Sequence, residues 1–392
     1  MNLNILNTDI QEFINNNLQS NISTILLKGT SFPNVKTKEI IEQIESKKRS
    51  EKKLPTWFNT LDVYYPNKLN IEQTSSEMAA EYKANLISGD SIIDLTGGFG
   101  VDCLYFSKQF KTAEHCEIDQ SLSYIVAHNY KQLDIENIKT IPMDGISYLS
   151  ASNKHYDWIY MDPSRRHDSK GKVFFLKDCL PNVPEHLDLL FKHSKNILIK
   201  TSPLLDLSLG ISELIHVKTI HIVAINSEVK ELLWVLEDQY QDEVSIKTVN
   251  IKKEKKEHFT TSIKAESLSK SEYHTPQDYL YEPNAAILKA GAFDSISKQL
   301  GLYKLHKHSH LYTSDTLIDF PGRRFKIESI IPYSKKDLKK MTVNKANITI
   351  RNFPETVQQI RNKHKIQDGG DTYLFFTTFM DDSKNVMITK AV

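Results

Sequence analysis

The segment Asp94-Leu-Thr-Gly-Gly-Phe-Gly100 constrains this 392-residue chain more than any other. It follows Ser91-Ile92-Ile93 and precedes the stretch VDCLYFSKQF, so it reads as a glycine turn between a strand and a helix. Three glycines in four positions (Gly97, Gly98, Gly100) let the backbone turn tightly and approach a ligand with no Cβ in the way. The helix N-terminus behind them offers free N–H groups. The rhythm continues downstream: AEHCEI, IKTIPMD, YDWIYMD and NILIKT read as strands, with QSLSYIVAHNYKQL and PEHLDLLFKH as helices between them. This alternation predicts an α/β fold with a mainly parallel sheet and helices on both faces. KTIHIVAINSEVKELLWVLE differs, because two strands meet across Asn226-Ser227-Glu228. That spacing predicts an antiparallel hairpin at the edge of the sheet.

Four acidic residues fall where those strands end: Asp94, Glu117, Asp144 and Asp162. Open α/β sheets bind ligands outside the carboxyl ends of their strands. Glu117, at the end of the second strand, can accept hydrogen bonds from both hydroxyls of a ribose. Asp144 suits an adenine amine. Asp94, ahead of the glycines, would repel a pyrophosphate and favour a cationic ligand with an amino-acid moiety. Together they disfavour a nicotinamide dinucleotide and favour S-adenosylmethionine. The competing reading is a plain strand-to-helix turn with capping acids, and it leaves the shared position of the four unexplained.

YMDPSRR (160–166) ends the fourth strand. Asp162 and the Pro163 carbonyl can accept hydrogen bonds from an amine and aim its lone pair at an electrophilic methyl group. Arg165 and Arg166 can clamp a phosphate or carboxylate, or form surface ion pairs. Asp162-Pro163 also has the bland reading of an ordinary turn. Lys200, in LIKTSP, is expected to be structural and to snorkel to solvent. HKHSH (306–310) reads as a solvated basic turn, and no metal site is expected.

The flanking regions are less explicit. TDIQEFINNNL, TKEIIEQIESKKRSEKK and SSEMAAEYKANLI read as helices, and LPTWF as a linker packed on a neighbouring domain. After about residue 240 a helix within 279–301 is followed by short strands around FPGRRFKIESII. A helix at KKDLKKM, the strand NITIRNF, a helix at PETVQQIRNKHKI and a final strand TYLFFTTF complete the chain. KKEKKE (252–257) alternates in sign and reads as an exposed loop or strand margin. The net charge is +1, yet residues 301–392 carry 16 Lys+Arg against 9 Asp+Glu. A basic appendage on an acidic body fits a polyanion such as RNA, as well as a merely solvated surface. No apolar run approaches the ~20 residues of a membrane span. The three separated cysteines and the lack of a leader pattern are expected of a reduced, cytoplasmic protein. Oligomeric state is not legible.

DLTGGFG, CEID, MDG and DPSRR, in this order, resemble motifs I to IV of class I S-adenosylmethionine-dependent methyltransferases. EQTSSEMAAEYKA, NSEVKELL, YLYEPNAAILKAG, FPGRRF and IRNFP extend the resemblance to the bacterial THUMP-like domain methyltransferases, which carry a ferredoxin-like module. The resemblance implies an N-terminal helical region at 1–75 and a Rossmann-like transferase at 76–240. It further implies a ferredoxin-like module at 241–320 and an α+β THUMP-like module at 321–392 that captures RNA, tRNA or rRNA. It places Asp94, Thr96, Gly97, Gly98, Gly100, Glu117 and Asp144 at the cofactor, with Gln73, Thr74 and Ser75 over its methionine end. Asp162 and Pro163 match the start of the Asn/Asp-Pro-Pro-aromatic motif of amino-group methyltransferases. Ser164 replaces its second proline and Arg165 its aromatic, which leaves His167, Tyr160 or Phe174 to stack on a base. The implied activity is methylation of an RNA amino group. A protein or small-molecule methyltransferase and a non-catalytic S-adenosylmethionine- or RNA-binding assembly protein are the alternatives.

Overall fold

The computed structural model describes residues 1–165, 174–338, 341 and 343–392. They form two compact units, residues 1–218 with 232–241, and residues 219–231 with 242–392.

The first unit is built on parallel strands β1 (Gly89–Asp94), β2 (Phe110–Cys116), β3 (Ile138–Ile141), β4 (Trp158–Met161) and β5 (Asn196–Thr201). β1 lies between β2 and β4, with β3 beyond β2 and β5 beyond β4. The chain therefore starts in the middle, runs to one side and then crosses to the other. Its switch point falls between β1 and β4, and open α/β sheets bind ligands in the crevice outside the carboxyl ends at that point. Ile92, Ile93, Ile159, Ile197, Leu198 and Ile199 are all buried, as strands covered on both faces require. Helices Val101–Ser107, Gln120–Gln132, Gly145–Ala151 and Val183–His193 make the connections. The third of these was not foreseen.

Residues 1–75 are also helical, with the main helix at Thr37–Lys53. LPTWF is not a linker: Pro55–Asn59 is a helical turn with proline in its first turn and a fully buried Trp57. Trp57 packs against Phe99 of the glycine turn, ring centroids 6.1 Å apart. Asn129 clasps Tyr64 by two hydrogen bonds of 2.9 Å and so ties this region to the helix after β2.

The hairpin consists of β6 (Val217–Ile225) and β7 (Glu228–Glu237), joined by Asn226 and Ser227, both at positive φ (50° and 63°). This is the two-residue turn whose twist matches the strands. Residues 232–237 of β7 run antiparallel to β5. The hairpin is not an edge, however. In the second unit, Thr219–Ile225 pairs in parallel with β8 (Ser245–Ile251), and β8 pairs with β9 (Lys256–Ser262). The charge run between β8 and β9 hid both strands; its Glu257 is buried and bonded to Lys252, Asn250 and Asn284.

The rest of the second unit is a seven-stranded sheet. It comprises β10 (Tyr279–Pro283), β11 (Tyr303–Lys304), β12 (Tyr312–Ser314), β13 (Gly322–Pro332), β14 (Asn347–Arg351), β15 (Thr372–Thr378) and β16 (Lys384–Ala391), in the order β11-β12-β10-β13-β16-β15-β14. FPGRRFKIESII is thus one long strand, and TYLFFTTF is followed by another. The HKHSH turn is solvated only in part: Lys307 and His308 are exposed, whereas His306 and Ser309 are buried. His306 is buried: its Nδ1 accepts from Asn352 (3.0 Å) and His308 N (3.1 Å), so Nε2 carries the proton shared with Asp382 (3.2 Å). His310 stacks on Phe293 at 3.6 Å. Among the described residues, no three or more His, Cys, Asp or Glu side chains converge as a metal site, and no helix is long and apolar enough to cross a membrane.

Candidate active site

All the described candidate residues lie in the first unit, and the crevice brings the strand-end acids around one loop. Thr96 is the link between β1 and β4. Its N–H donates to Asp94 Oδ1 (2.9 Å), and its Oγ1 accepts the Asp162 N–H (2.6 Å). Glu117 Oε2 accepts from Gly98 N (2.8 Å) and Oε1 from Asp119 N (2.7 Å), which fixes the loop against the end of β2. Each oxygen keeps a further lone pair, so a ribose can still be accepted. Asp144 Oδ1 caps the helix Gly145–Ala151 through Ser147 N and Oγ, both at 2.8 Å. Beside these two acids stand exposed apolar side chains, Ile118 and Met143. Their exposure at the strand ends is a feature that no periodicity in the sequence reveals.

The glycines divide by role. A Cβ on Gly97 would collide with the His115 ring, and one on Gly100 (φ +80°) with Tyr130. Both therefore make room for side chains behind the loop. Only Gly98 (φ +55°) has no neighbour closer than 3.9 Å to a built Cβ, which leaves that face open to a ligand. His115 is fully buried with neither ring nitrogen hydrogen-bonded, and burial lowers its pKa to about 4. It is a neutral wedge under the loop, and the sequence reading overlooked it.

Electrostatically the crevice is crowded. Burial pushes the Asp94 carboxyl well above its usual range, and Asp102 and Asp162 push it further against the opposing hydrogen bond from Thr96. Burial also raises Glu117. Behind Asp94 lies a network that sequence reasoning missed. Asp102 receives Tyr160 OH (2.7 Å) and Ser75 Oγ (2.9 Å) on Oδ2 and lies 3.1 Å from the buried Lys83 ammonium, which itself bonds Ser75 (2.9 Å). Burial raises Asp102, yet Lys83, Lys200 and the two hydroxyls outweigh it and hold the carboxyl below its ordinary value. Ser75 is thus engaged below the crevice, Thr74 is half-buried and Gln73 exposed.

At β4, Lys200 forms an ion pair with Asp162 and is only 14% exposed, so the snorkelling expectation fails. Pro163 is buried, and Ser164-Arg165 pairs with Cys179-Leu180. The Arg165 guanidinium lies over the Phe174 ring at 5.4 Å. Phe174 is buried beneath it, and Tyr160 is buried with its hydroxyl on Asp102, so neither offers a ring to a base. Arg166 and His167 lie outside the described residues.

A parallel sheet beginning at its centre, an antiparallel strand inserted at β5 and an acid at or just beyond the ends of β1 to β4 define a Rossmann-like class I methyltransferase body. Comparison with known proteins narrows this. Residues 279–321 match a ferredoxin-like domain and residues 322–391 a THUMP domain-like family. A solved structure of a methyltransferase candidate from Porphyromonas gingivalis W83 is 32% identical, covers 97% of both chains and superposes with a TM-score of 0.89. The chain belongs to that family, the bacterial THUMP-like domain group of class I methyltransferases with a ferredoxin-like module. A methyltransferase candidate from Escherichia coli (18% identical, 42% of this chain and 85% of that one) gives a TM-score of 0.31. An rRNA methylase from Streptococcus thermophilus (14% identical, 42% and 95%) also gives 0.31, and nothing further follows from likeness at that level. Comparison with curated proteins gives no match.

Proposed function

We propose that the protein is an S-adenosylmethionine-dependent methyltransferase acting on an amino group of RNA, with the basic C-terminal module, 321–392, capturing the RNA. The observation that carries this reading is the junction at Thr96, which ties the end of β1, the glycine loop and Asp162 into one rim. The residues fit the donor. Gly98 leaves the loop surface open, Glu117 and Asp144 retain acceptor capacity for a ribose and an adenine amine, and Ile118 and Met143 supply apolar faces for a flat base. In this reading Asp94, once ionised, would meet the cationic donor. The donor, when bound, supplies an electrophilic methyl group. Around it the chain orients: Asp162 and the Pro163 carbonyl accept hydrogen bonds from the acceptor amine and hold its lone pair in line, where positioning does most of the catalytic work. In this reading Arg165 would meet a nearby phosphate of the RNA.

The test is incubation with labelled S-adenosylmethionine and RNA from a deletion strain, followed by mass spectrometry of the nucleosides. A labelled methylamino-nucleoside that the Asp162→Ala variant does not produce is the expected result. Label in protein or in small molecules alone would give the substrate to another class. Cofactor binding without any transfer would favour the assembly-protein reading.

A further inference from the structure

Three segments that carry the family resemblance in the second unit, YLYEPNAAILKAG, FPGRRF and IRNFP, take no part in the transferase site. The fold brings one charged residue of each to a single point. Glu282 stands on β10, Arg323 opposite it on β13, and Arg351 ends β14. Arg323 donates from Nε to Glu282 Oε2 (2.6 Å), with Nη2 on the same oxygen. Arg351 donates from Nε (3.2 Å) and Nη2 (2.8 Å) to Oε1. One carboxylate, only 5% exposed, therefore engages two guanidinium groups that are 46% and 31% exposed. Among the described residues, neither Nη1 group has a hydrogen-bond partner. The plane of Arg323 is fixed as well: it lies over Phe325 (5.3 Å), Tyr373 and Phe375 (both 5.9 Å) and donates from Nη2 to Thr349 Oγ1 (3.1 Å). Leu338, Met341 and Val343, between β13 and β14, pack with Leu374 and Phe376. Those two alternate along β15 with Tyr373 and Phe375, so this packing belongs to the opposite face of the sheet.

A structural ion pair needs one cation for one acid. Here two cations share one acid, repel each other, and turn unused donors toward solvent; a second anion completes such an arrangement. Guanidinium forks held rigid in advance suit the non-bridging oxygens of a phosphate group, because little freedom is lost on binding. We propose that Glu282 aims Arg323 and Arg351 at a phosphate group, and that this group is a backbone phosphodiester of the RNA. Glu282 is accordingly a positioning residue that acts through the two arginines. The inference rests on the RNA reading above. It goes beyond that reading by naming the side chains that grip the backbone, and by extending the grip to β10, outside 321–392.

The full-length protein can be treated with phenylglyoxal, which modifies accessible arginines, with and without a single-stranded RNA of about 20 nucleotides. Mass spectrometry of the peptides then measures each arginine separately. RNA should protect Arg323 and Arg351 but not Arg49, which is 43% exposed and likewise paired with an acid, Glu72. Equal protection of all three would overturn the assignment. Inorganic phosphate is the second probe: if it protects the two arginines as well as RNA does, the site belongs to a small phosphate-bearing ligand and the RNA source is wrong. Arg323→Lys and Arg351→Lys keep the charge and lose the fork. Each should weaken RNA binding, read by fluorescence anisotropy, by roughly three- to tenfold with the salt slope unchanged. A surface acting by charge alone would bind RNA with wild-type affinity in both variants, and that result overturns the proposal. Should the lysine variants fail to fold, the protection pattern of the wild type still decides the matter. RNA bound by the wild type with neither arginine protected overturns this inference alone. A wild-type protein that binds no RNA overturns the RNA reading, and this inference with it.

Discussion

Each glycine of the loop answers to a different neighbour, and that makes them separable by mutation. Gly97→Ala drives a methyl group into the His115 ring, and two closely packed groups must shift. Overpacking of this kind costs about 1–3 kcal/mol, to be read as a lower midpoint in urea with unchanged slope. The paired variant His115→Ala, Gly97→Ala should recover part of that loss, because the ring is the obstacle. Unchanged stability in Gly97→Ala would mean that the ring is not seated there. Asp94 sets a pH dependence whose sign follows from its burial. Its folded-state pKa is raised, so it holds a proton beyond the usual carboxylate range, and a cationic ligand must expel that proton. Affinity for S-adenosylmethionine should therefore rise with pH until Asp94 is ionised in the free protein, and level off above. Calorimetry in buffers of different ionisation heat measures the proton directly; buffer-independent heats would refute the assignment.

At the scale of elements, the helix after β2 couples stability to the site. Asp119 Oδ1 accepts from Ser121 N (2.9 Å) and Leu122 N (3.2 Å), while its own N–H holds Glu117. Asp119→Ala should cost about 1 kcal/mol through the lost cap. It should also weaken cofactor binding several-fold, whereas Asp206→Ala, a cap of the same kind on the helix Leu207–Glu213, should cost stability alone. Equal affinities in the two variants would dissociate the cap from the loop. The elements that carry this site were legible because local signals agreed: apolar strands ended in acids, and glycines preceded a helix. What stayed hidden depended on distant partners. Lys83 looked like one more polar position on a helix, and its burial is answered by Asp102 and Ser75, neither of them marked as its partner in the sequence. Lys200 carried no mark of its pairing with Asp162. Strands β8 and β9 escaped because the sign-alternating turn between them resembles solvated loop, while the face that buries Phe259 and Glu257 is set by tertiary packing.

For the whole molecule, the charge asymmetry makes a quantitative statement. Several basic residues of the C-terminal module are already engaged, Arg361 with Asp368, Lys363 with Glu355 and Lys390 with Glu328. Those with exposed side chains and no acidic partner among the described contacts include Lys326, Lys345, Lys365 and Lys384. RNA affinity should accordingly fall with rising salt, but with a logarithmic slope of only about −2 to −4, the signature of a few phosphate contacts. A flat dependence would remove RNA capture from this module. Replacing Lys326 and Lys384 with glutamine should lower the slope by about one to two.

The two stretches recognised as ferredoxin-like and THUMP-like are bound into one another by a single acid. Glu282 on β10 accepts from Arg323 on β13 (2.6 Å to Nε) and from Arg351 on β14 (2.8 Å), and is itself almost wholly covered. β10 and β13 are also adjacent strands, paired from Tyr279–Lys326 to Pro283–Gly322. Separating the two stretches would leave a buried carboxylate without the two guanidinium groups that answer it. Neither stretch is therefore a detachable part. A chain that kept one without the other would need a new partner for Glu282 or for both arginines.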